Sequence, residues 1–460
     1  MEREIINQLI QIVGAENVLM QTEELMCYSY DATPGFSQPP AAVVMPGSTA
    51  EVSQVLALAN SEKIPVYPRG SGTNLSAGAV PMKGGIVLLM TRMNKIIEID
   101  AANLVAVAEP GIVVADLNRE VEKLGLIYPP DPGTVATATL GGTVAENSGG
   151  LRGLKYGVSK HYVMGLEVVL ADGRILNTGG KNVKDVAGYD LTKLMTGSEG
   201  TLGVITKIMV KLVPAPEAKK SILAIFDDLD NAGKAVANII ANRIIPATLE
   251  IMDNTTIRTV EDYARIGLPT DAEAVLLIEV DGIPEVVEKD AAKVSEQLKA
   301  NKATEIIVAK DDVERDKIWA ARRAALPALA KLRPTTLVED ATVPRSKVPD
   351  MIRAVSQIAA KYGVTIGTFG HAGDGNLHPT IVCDLRNQEE TERVYQAMDE
   401  IFTAALNLGG TLSGEHGIGL GKLKYMEKQF GPVGMATMRA IKQALDPNGI
   451  LNPGKLVGEW

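Results

Sequence analysis

The sequence predicts an α+β protein of two main domains, and three observations carry the prediction. The chain has 460 residues, more than one ordinary hydrophobic core serves. Short apolar strands alternate with amphipathic stretches along most of its length. Its 44 glycines crowd the loops between residues 68 and 203 and thin sharply between 214 and 362. Pro214 and Pro216 mark the change, so domains are expected over 1–213 and 214–420, with a C-terminal segment, 421–460, packing back on the first.

The elements follow in order. Residues 41–45 are a short apolar run. Ser48 and Glu51 form a capping box ahead of Val52, Val55, Leu56 and Ala59, which recur at helical spacing. Strands are expected at 64–67, 84–90 and 105–109, and a helix at 114–124. Residues 163–170 read as a strand, 171–173 as a hairpin turn and 202–213 as another strand. Past the prolines, 221–227 and 274–280 read as strands, and 232–242 and 286–299 as helices, which predicts an open sheet covered by helices. Met351, Ile352, Val355, Ile358 and Ala359 define one face of a helix over 350–362, ended by Gly363.

Composition narrows the function. A chain that is 46% hydrophobic and 22% charged is globular. Its formal net charge of −10 sets nucleic-acid binding aside, since that class carries a basic patch. Cys27 and Cys383 alone make neither a disulfide scaffold, nor a CxxC pair, nor an iron–sulfur site. A reducing cytoplasm is expected. The N-terminus lacks the basic and apolar regions of a signal peptide, and no run approaches the ~18–20 apolar residues of a membrane span.

Three loops look built for a ligand. Pro68, Arg69, Gly70, Ser71, Gly72, Thr73 and Asn74 follow a strand. Glycines there let backbone N–H groups converge on an anion, the hydroxyls add donors, and Arg69 adds charge, so a pyrophosphate suits it. The loop has neither the P-loop ending nor the Rossmann glycine spacing. Residues 131–150 are nearly all small and can lie against a flat ligand where they cannot fill a core. They include Pro132, Gly133, Thr137, Gly141, Gly142, Ala145, Asn147, Ser148, Gly149 and Gly150. Glu199, Gly200, Gly203, Val204 and Ile205 form a third such loop, running into a strand.

Only four histidines occur, and three of them fall between 371 and 416. His371 and His378 flank a turn, Gly373 to Asn376, between two strands. In a hairpin they can face each other as two ligands of one divalent metal, with Glu415 adding a carboxylate. Two histidines and one carboxylate leave open positions, the pattern of a catalytic site. Neighbours in an extended chain point to opposite sides, so His416 is expected to turn away from Glu415 and act as a base. Asp374 and Asn376 are turn or supporting residues.

The loop motifs, together with Lys155, Tyr156 and Gly157, resemble the FAD-binding domain of the vanillyl-alcohol oxidase/PCMH flavoproteins. The C-terminal motifs resemble the branch containing the flavoprotein subunit of glycolate oxidase, D-lactate dehydrogenases and D-2-hydroxyglutarate dehydrogenase. The resemblance covers about 23–456. It implies a PCMH-type FAD-binding domain of two subdomains, plus an α/β cap that holds the substrate and a C-terminal return to the flavin. It places the first loop on the FAD pyrophosphate, the second along the ribityl chain and ring, the third near the adenine, and Asn452 near the ring. Tyr156 and Gly157 join the cofactor set. Some members attach FAD through a loop histidine, but none lies in these loops, so non-covalent FAD is expected and His161 has a local role.

The resemblance supports His371, His378 and Glu415 as ligands of Zn, Fe or Mn, and His416 as base. It reads Arg322, after Trp319, as the holder of the substrate carboxylate, with Arg323 as rival. Where the hydroxyglutarate enzymes carry a lysine for a second carboxylate, this chain reads Val338, Glu339, Asp340, which favours lactate or glycolate. The implied activity is an FAD-dependent D-2-hydroxyacid dehydrogenase that passes electrons to an external acceptor, such as an electron-transfer flavoprotein or an iron–sulfur subunit. Two other readings stay open: a metal-dependent hydrolase with a nucleotide substrate, and a non-catalytic flavin-binding subunit.

Overall fold

Ser48 opens a 13-residue helix in the structure, a computed structural model that describes residues 1–458. Its hydroxyl accepts from the Glu51 N–H at 3.3 Å, while the Glu51 carboxylate reaches back to the Gly47 N–H at 2.7 Å. The helix, Thr49–Ser61, fully buries Val52, Val55, Leu56 and Ala59. That face packs on a four-stranded sheet ordered Val18–Leu19, Ala42–Val44, Ile86–Leu89, Val66–Arg69, whose last three strands are parallel. A second, antiparallel sheet is ordered Ile96–Asp100, Val105–Ala108, Val204–Lys211, Val163–Val169, Ile175–Gly179.

The chain forms two units. The first comprises Met1–Gly149, Val158–Ala215 and the chain from Glu415 onward; the second comprises Gly150–Gly157 and Pro216–Gly414. The boundary expected at 213/214 therefore falls at 215/216. The C-terminal return begins at Glu415 and not at 421. Its first turn is tied down early, because the Glu199 carboxylate accepts from the N–H groups of Ile418 and Gly419, both at 2.7 Å. Further along, buried Lys442 donates to Thr201 O at 2.7 Å and Leu451 O at 2.8 Å, beside Asp446. Residues 150–157, expected in the first domain, are counted with the second.

The second unit is built on one antiparallel sheet. Its order is Glu305–Val308, Ala218–Phe226, Ala274–Gly282, Thr248–Asp253, Thr365–His371, Asn376–Cys383, Thr335–Val338, with Ala341–Thr342 also pairing Asn376–Cys383. The expected strand–helix alternation is present. Helix Leu229–Ala241, however, carries the chain past one sheet position, leaving Ala274–Gly282 between Ala218–Phe226 and Thr248–Asp253. Both faces are covered. Ile222, Ala224 and Phe226 enter one core with helix Val348–Tyr362, and Leu223 and Ile225 enter another with helix Asp312–Ala330. This period-two split explains why the strands read as unbroken apolar runs.

Residues 131–150, read as loop, contain a helix, Leu140–Glu146, capped by the Thr139 hydroxyl. Leu140, Thr143 and Val144 are its buried face, and small neighbours mask that spacing. Among the described residues no helix is long and apolar enough to cross a membrane.

Candidate active site

In the first unit the Gly-rich loops meet around a small cleft of about 60 Å³ that opens to solvent. Of the residues singled out from sequence, Pro68, Arg69, Gly70, Gly141, Gly142, Ala145, Gly200, Gly203, Val204 and Ile205 line it; Met90, Pro110 and Thr139 join them. Arg69 is 7% exposed, and its Nη1 has no hydrogen-bond partner among the described residues. Burial pulls its pKa below the usual arginine value, partly offset by Asp31. A buried cationic donor left open in a glycine-walled cleft fits a pyrophosphate. The cleft thus suits the pyrophosphate of a dinucleotide such as FAD.

Other expected cofactor residues hold the loops in shape. Asn74 Oδ1 accepts from Ser76 N at 2.9 Å and Gly78 N at 2.6 Å. Asn147, at φ 58°, accepts from Lys160 N at 2.7 Å, and the Ser148 carbonyl from Ser159 N at 3.0 Å. Asn452 Nδ2 donates to Glu199 O at 2.7 Å and Gly78 O at 3.1 Å, leaving a buried Oδ1 with no partner among the described residues. Ser71, Gly72, Thr73, Pro132, Gly133, Thr137 and Gly149 do not line the cleft. His161 has the expected local role, its Nδ1 accepting from Val158 N at 3.1 Å.

The segment carrying His416 is anchored to the same loops. The His416 carbonyl accepts from Ser76 Oγ at 3.0 Å. Gly417, at φ 81°, turns against a buried carboxyl pair: a Cβ there would lie 2.1 Å from Glu146 Oε2 and 3.0 Å from Glu199 Oε1. Burial raises the pKa of both acids, and for Glu146 the charge of Glu199 raises it further. One expectation fails here. His416 Nε2 lies 3.8 Å from Glu415 Oε1, so the two side chains do not diverge. The backbone at 414–416 is a run of bends, and the alternation of an extended strand does not apply.

In the second unit the predicted hairpin is present. His371 pairs with Asn376 and His378 with Phe369, which makes the two histidines diagonal neighbours on one face. Their Nε2 atoms lie 3.4 Å apart. His378 Nδ1 contacts Glu339 O at 3.2 Å, and His371 Nδ1 contacts Glu250 Oε1 at 2.6 Å. When both Nδ1 atoms donate, both Nε2 atoms present lone pairs to the same point, and a cation between them relieves the repulsion. That donor set fits a divalent metal. Asp374 supports the turn, its carboxylate accepting from Asn376 N at 3.2 Å.

Arg322 comes to the same face from helix Asp312–Ala330. Its Nε donates to Glu250 Oε2 at 2.6 Å, and its guanidinium lies 4.6 Å from the Phe369 ring centre. Trp319 anchors the helix through Nε1 to Ser221 Oγ at 2.9 Å. The rival Arg323 is exposed and bonds Asp316 O. Burial alone would raise the Glu250 pKa, but its pairing with His371 and Arg322 overrides this and holds the carboxyl low, at about 2. Tyr156 donates to Asp281 Oδ2 at 2.7 Å within this unit, where Gly150 and Gly157 also lie.

Sequence reading missed Glu250 and Asp340. Both are fully buried, and Asp340 accepts from Ser413 Oγ and from Gly414 N at 2.9 Å, the last residue before Glu415. A lone acid inside an apolar strand, Leu249, Glu250, Ile251, Met252, was the available signal.

Comparison with known proteins gives two family matches. The family description "FAD binding domain" matches residues 40–179, and "FAD linked oxidases, C-terminal domain" matches residues 215–456. The chain is 53% identical over 454 residues to the glycolate oxidase subunit GlcD of Bacillus subtilis, covering 99% of this chain and 97% of that one. It is 39% identical over 435 residues to a D-lactate dehydrogenase of Archaeoglobus fulgidus, covering 94% and 95%. The solved structure of p-cresol methylhydroxylase with substrate bound shares the fold, with TM-score 0.82 at 20% identity, covering 99% and 96%.

Proposed function

The chain belongs to the FAD-linked oxidases, as an FAD-dependent oxidoreductase, and on that premise we propose that it oxidises a small D-2-hydroxy acid, D-lactate or glycolate, to the 2-oxo acid. The observation that carries the reading is the convergence of Arg322 and the two imidazoles of His371 and His378 on one sheet face. When bound, FAD would accept the Cα hydride, and a divalent cation, for which His371, His378 and Glu415 are the proposed ligands, would make the 2-hydroxyl more acidic.

Arg322 grips the substrate carboxylate through its Nη groups, its Nε being committed to Glu250. His416 takes the hydroxyl proton. Glu415 and His416 enter on the sequence pattern, and the chain reaches them directly after Gly414. The non-polar and acidic residues at 338–341, in place of a lysine, favour a monocarboxylate, as do the names of the two relatives. Two cysteines cannot ligate an iron–sulfur cluster, so electrons leave to an external acceptor, such as an electron-transfer flavoprotein or an iron–sulfur subunit. The FAD-linked oxidase match sets the nucleotide-hydrolase alternative aside.

The test is the anaerobic visible spectrum of the metal-loaded protein. Flavin bands that bleach with D-lactate or glycolate, and not with L-lactate, support the reading. Bands that no 2-hydroxy acid bleaches overturn it and leave a flavin-binding subunit.

A further inference from the structure

We infer that Glu250 is a positioning residue that joins two arms of the site: one carboxylate oxygen sets the tautomer of His371, and the other sets the aim of Arg322. The inference rests on the proposed metal and carboxylate roles. Glu250 is fully buried on strand Thr248–Asp253, and the pairing of Met252 with Phe369 brings it beside His371 on the next strand. A buried carboxylate persists where its charge and lone pairs are met. Here the two oxygens are divided between elements, Oε1 on His371 Nδ1 and Oε2 on Arg322 Nε, both at 2.6 Å.

The division has chemical consequences. An Nδ1–H given to Oε1 leaves His371 Nε2 as a lone pair for a cation. His378 receives the same instruction from a backbone carbonyl, Glu339 O, which no side-chain change removes. The tautomer of His371 thus depends on a side chain that substitution can change. The ion pair at Nε also fixes the guanidinium plane, and with it the direction of both Nη groups. Substrate carboxylate and cation thus meet side chains braced on one residue.

Glutamine separates the arms. Its single carbonyl stays on the charged Arg322, the stronger donor, and its NH2 donates to His371 Nδ1, moving that ring's proton to Nε2. With the FAD-loaded enzyme freed of metal by chelation, free Mn²⁺ is read by electron paramagnetic resonance and KM by kinetics at saturating Mn²⁺. Glu250→Gln is expected to weaken Mn²⁺ binding by ~10–100-fold, the usual cost of losing a ligand's hydrogen-bond partner, with KM within about threefold of wild type. Glu250→Ala is expected to damage both, and Glu250→Asp to restore part of each.

Mn²⁺ binding by Glu250→Gln within about twofold of wild type would overturn the inference. So would joint loss of Mn²⁺ binding, FAD and circular dichroism in which Asp does no better than Ala, since that marks a purely structural residue. Wild-type enzyme that binds no Mn²⁺ would overturn the metal reading itself, and this is seen before any variant is made.

Discussion

Arg322 illustrates how much one side chain is asked to do. Its Nε holds Glu250 while the proposed reaction needs its Nη groups for the substrate. A lysine supplies a point charge without the fork, so it cannot serve both partners. Arg322→Lys is expected to cost about 1.5–3 kcal/mol of transition-state binding, roughly 10- to 100-fold in kcat/KM, mostly in KM. Steady-state kinetics with D-lactate and glycolate check it, and an unchanged KM would remove Arg322 from the substrate. Lys455 poses a different question. It is 1% exposed, with Nζ on Gly78 O at 2.7 Å and Val80 O at 2.6 Å. Burial pulls its pKa down to about 7, against the upward pull of Asp31 and Glu199. The unfolded lysine titrates near 10.5, so between the two values the unfolded chain binds more protons and stability rises with pH. The contribution is complete above the unfolded value and lost as pH falls through about 7. Urea titrations from pH 7 to 9 should show wild type gaining up to ~1.4 kcal/mol per pH unit relative to Lys455→Met. Parallel curves for the two proteins would show that Lys455 stays charged.

At the scale of an element, the hairpin Thr365–His371 and Asn376–Cys383 carries both histidines on one turn. Gly375 sits in that turn at φ 89°, and a Cβ there would lie 2.0 Å from Val343 O. Gly375→Ala is expected to cost about 1–3 kcal/mol from the backbone conformation alone, and the clash with a carbonyl adds to it. Because the turn sets the register of His371 against His378, the variant should also lose bound metal. Thermal melting and metal analysis test the two effects separately; a variant with wild-type metal content would show that the turn does not control the pair.

For the whole molecule, the cleft belongs to the first unit, so FAD should stabilise that unit directly. FAD at 100 times its Kd is expected to add about 2.7 kcal/mol to the unit that binds it. Calorimetry of FAD-depleted protein should show two transitions, one of them rising as FAD is restored. A single transition that moves as a whole would mean that the units unfold together.

Local signals were legible wherever one residue type does one job. Glycine loops marked the cleft because only backbone can approach a flat ligand closely, and scarce histidines marked the hairpin because imidazole has few substitutes there. The Ser48 cap and the apolar face of helix Val348–Tyr362 followed from spacing along the chain. Glu250 and Asp340 were not legible as site residues, since their partners lie far away in sequence and a buried carboxylate means nothing until its donors are known. Helix Leu140–Glu146 was hidden because small residues blur periodicity, and tertiary packing supplied the missing preference. The origin of the return segment at Glu415 depended on Glu199 capturing two distant N–H groups. Pairings across more than two hundred residues of chain leave no periodic trace, because their energy comes from the meeting of groups and not from either group alone.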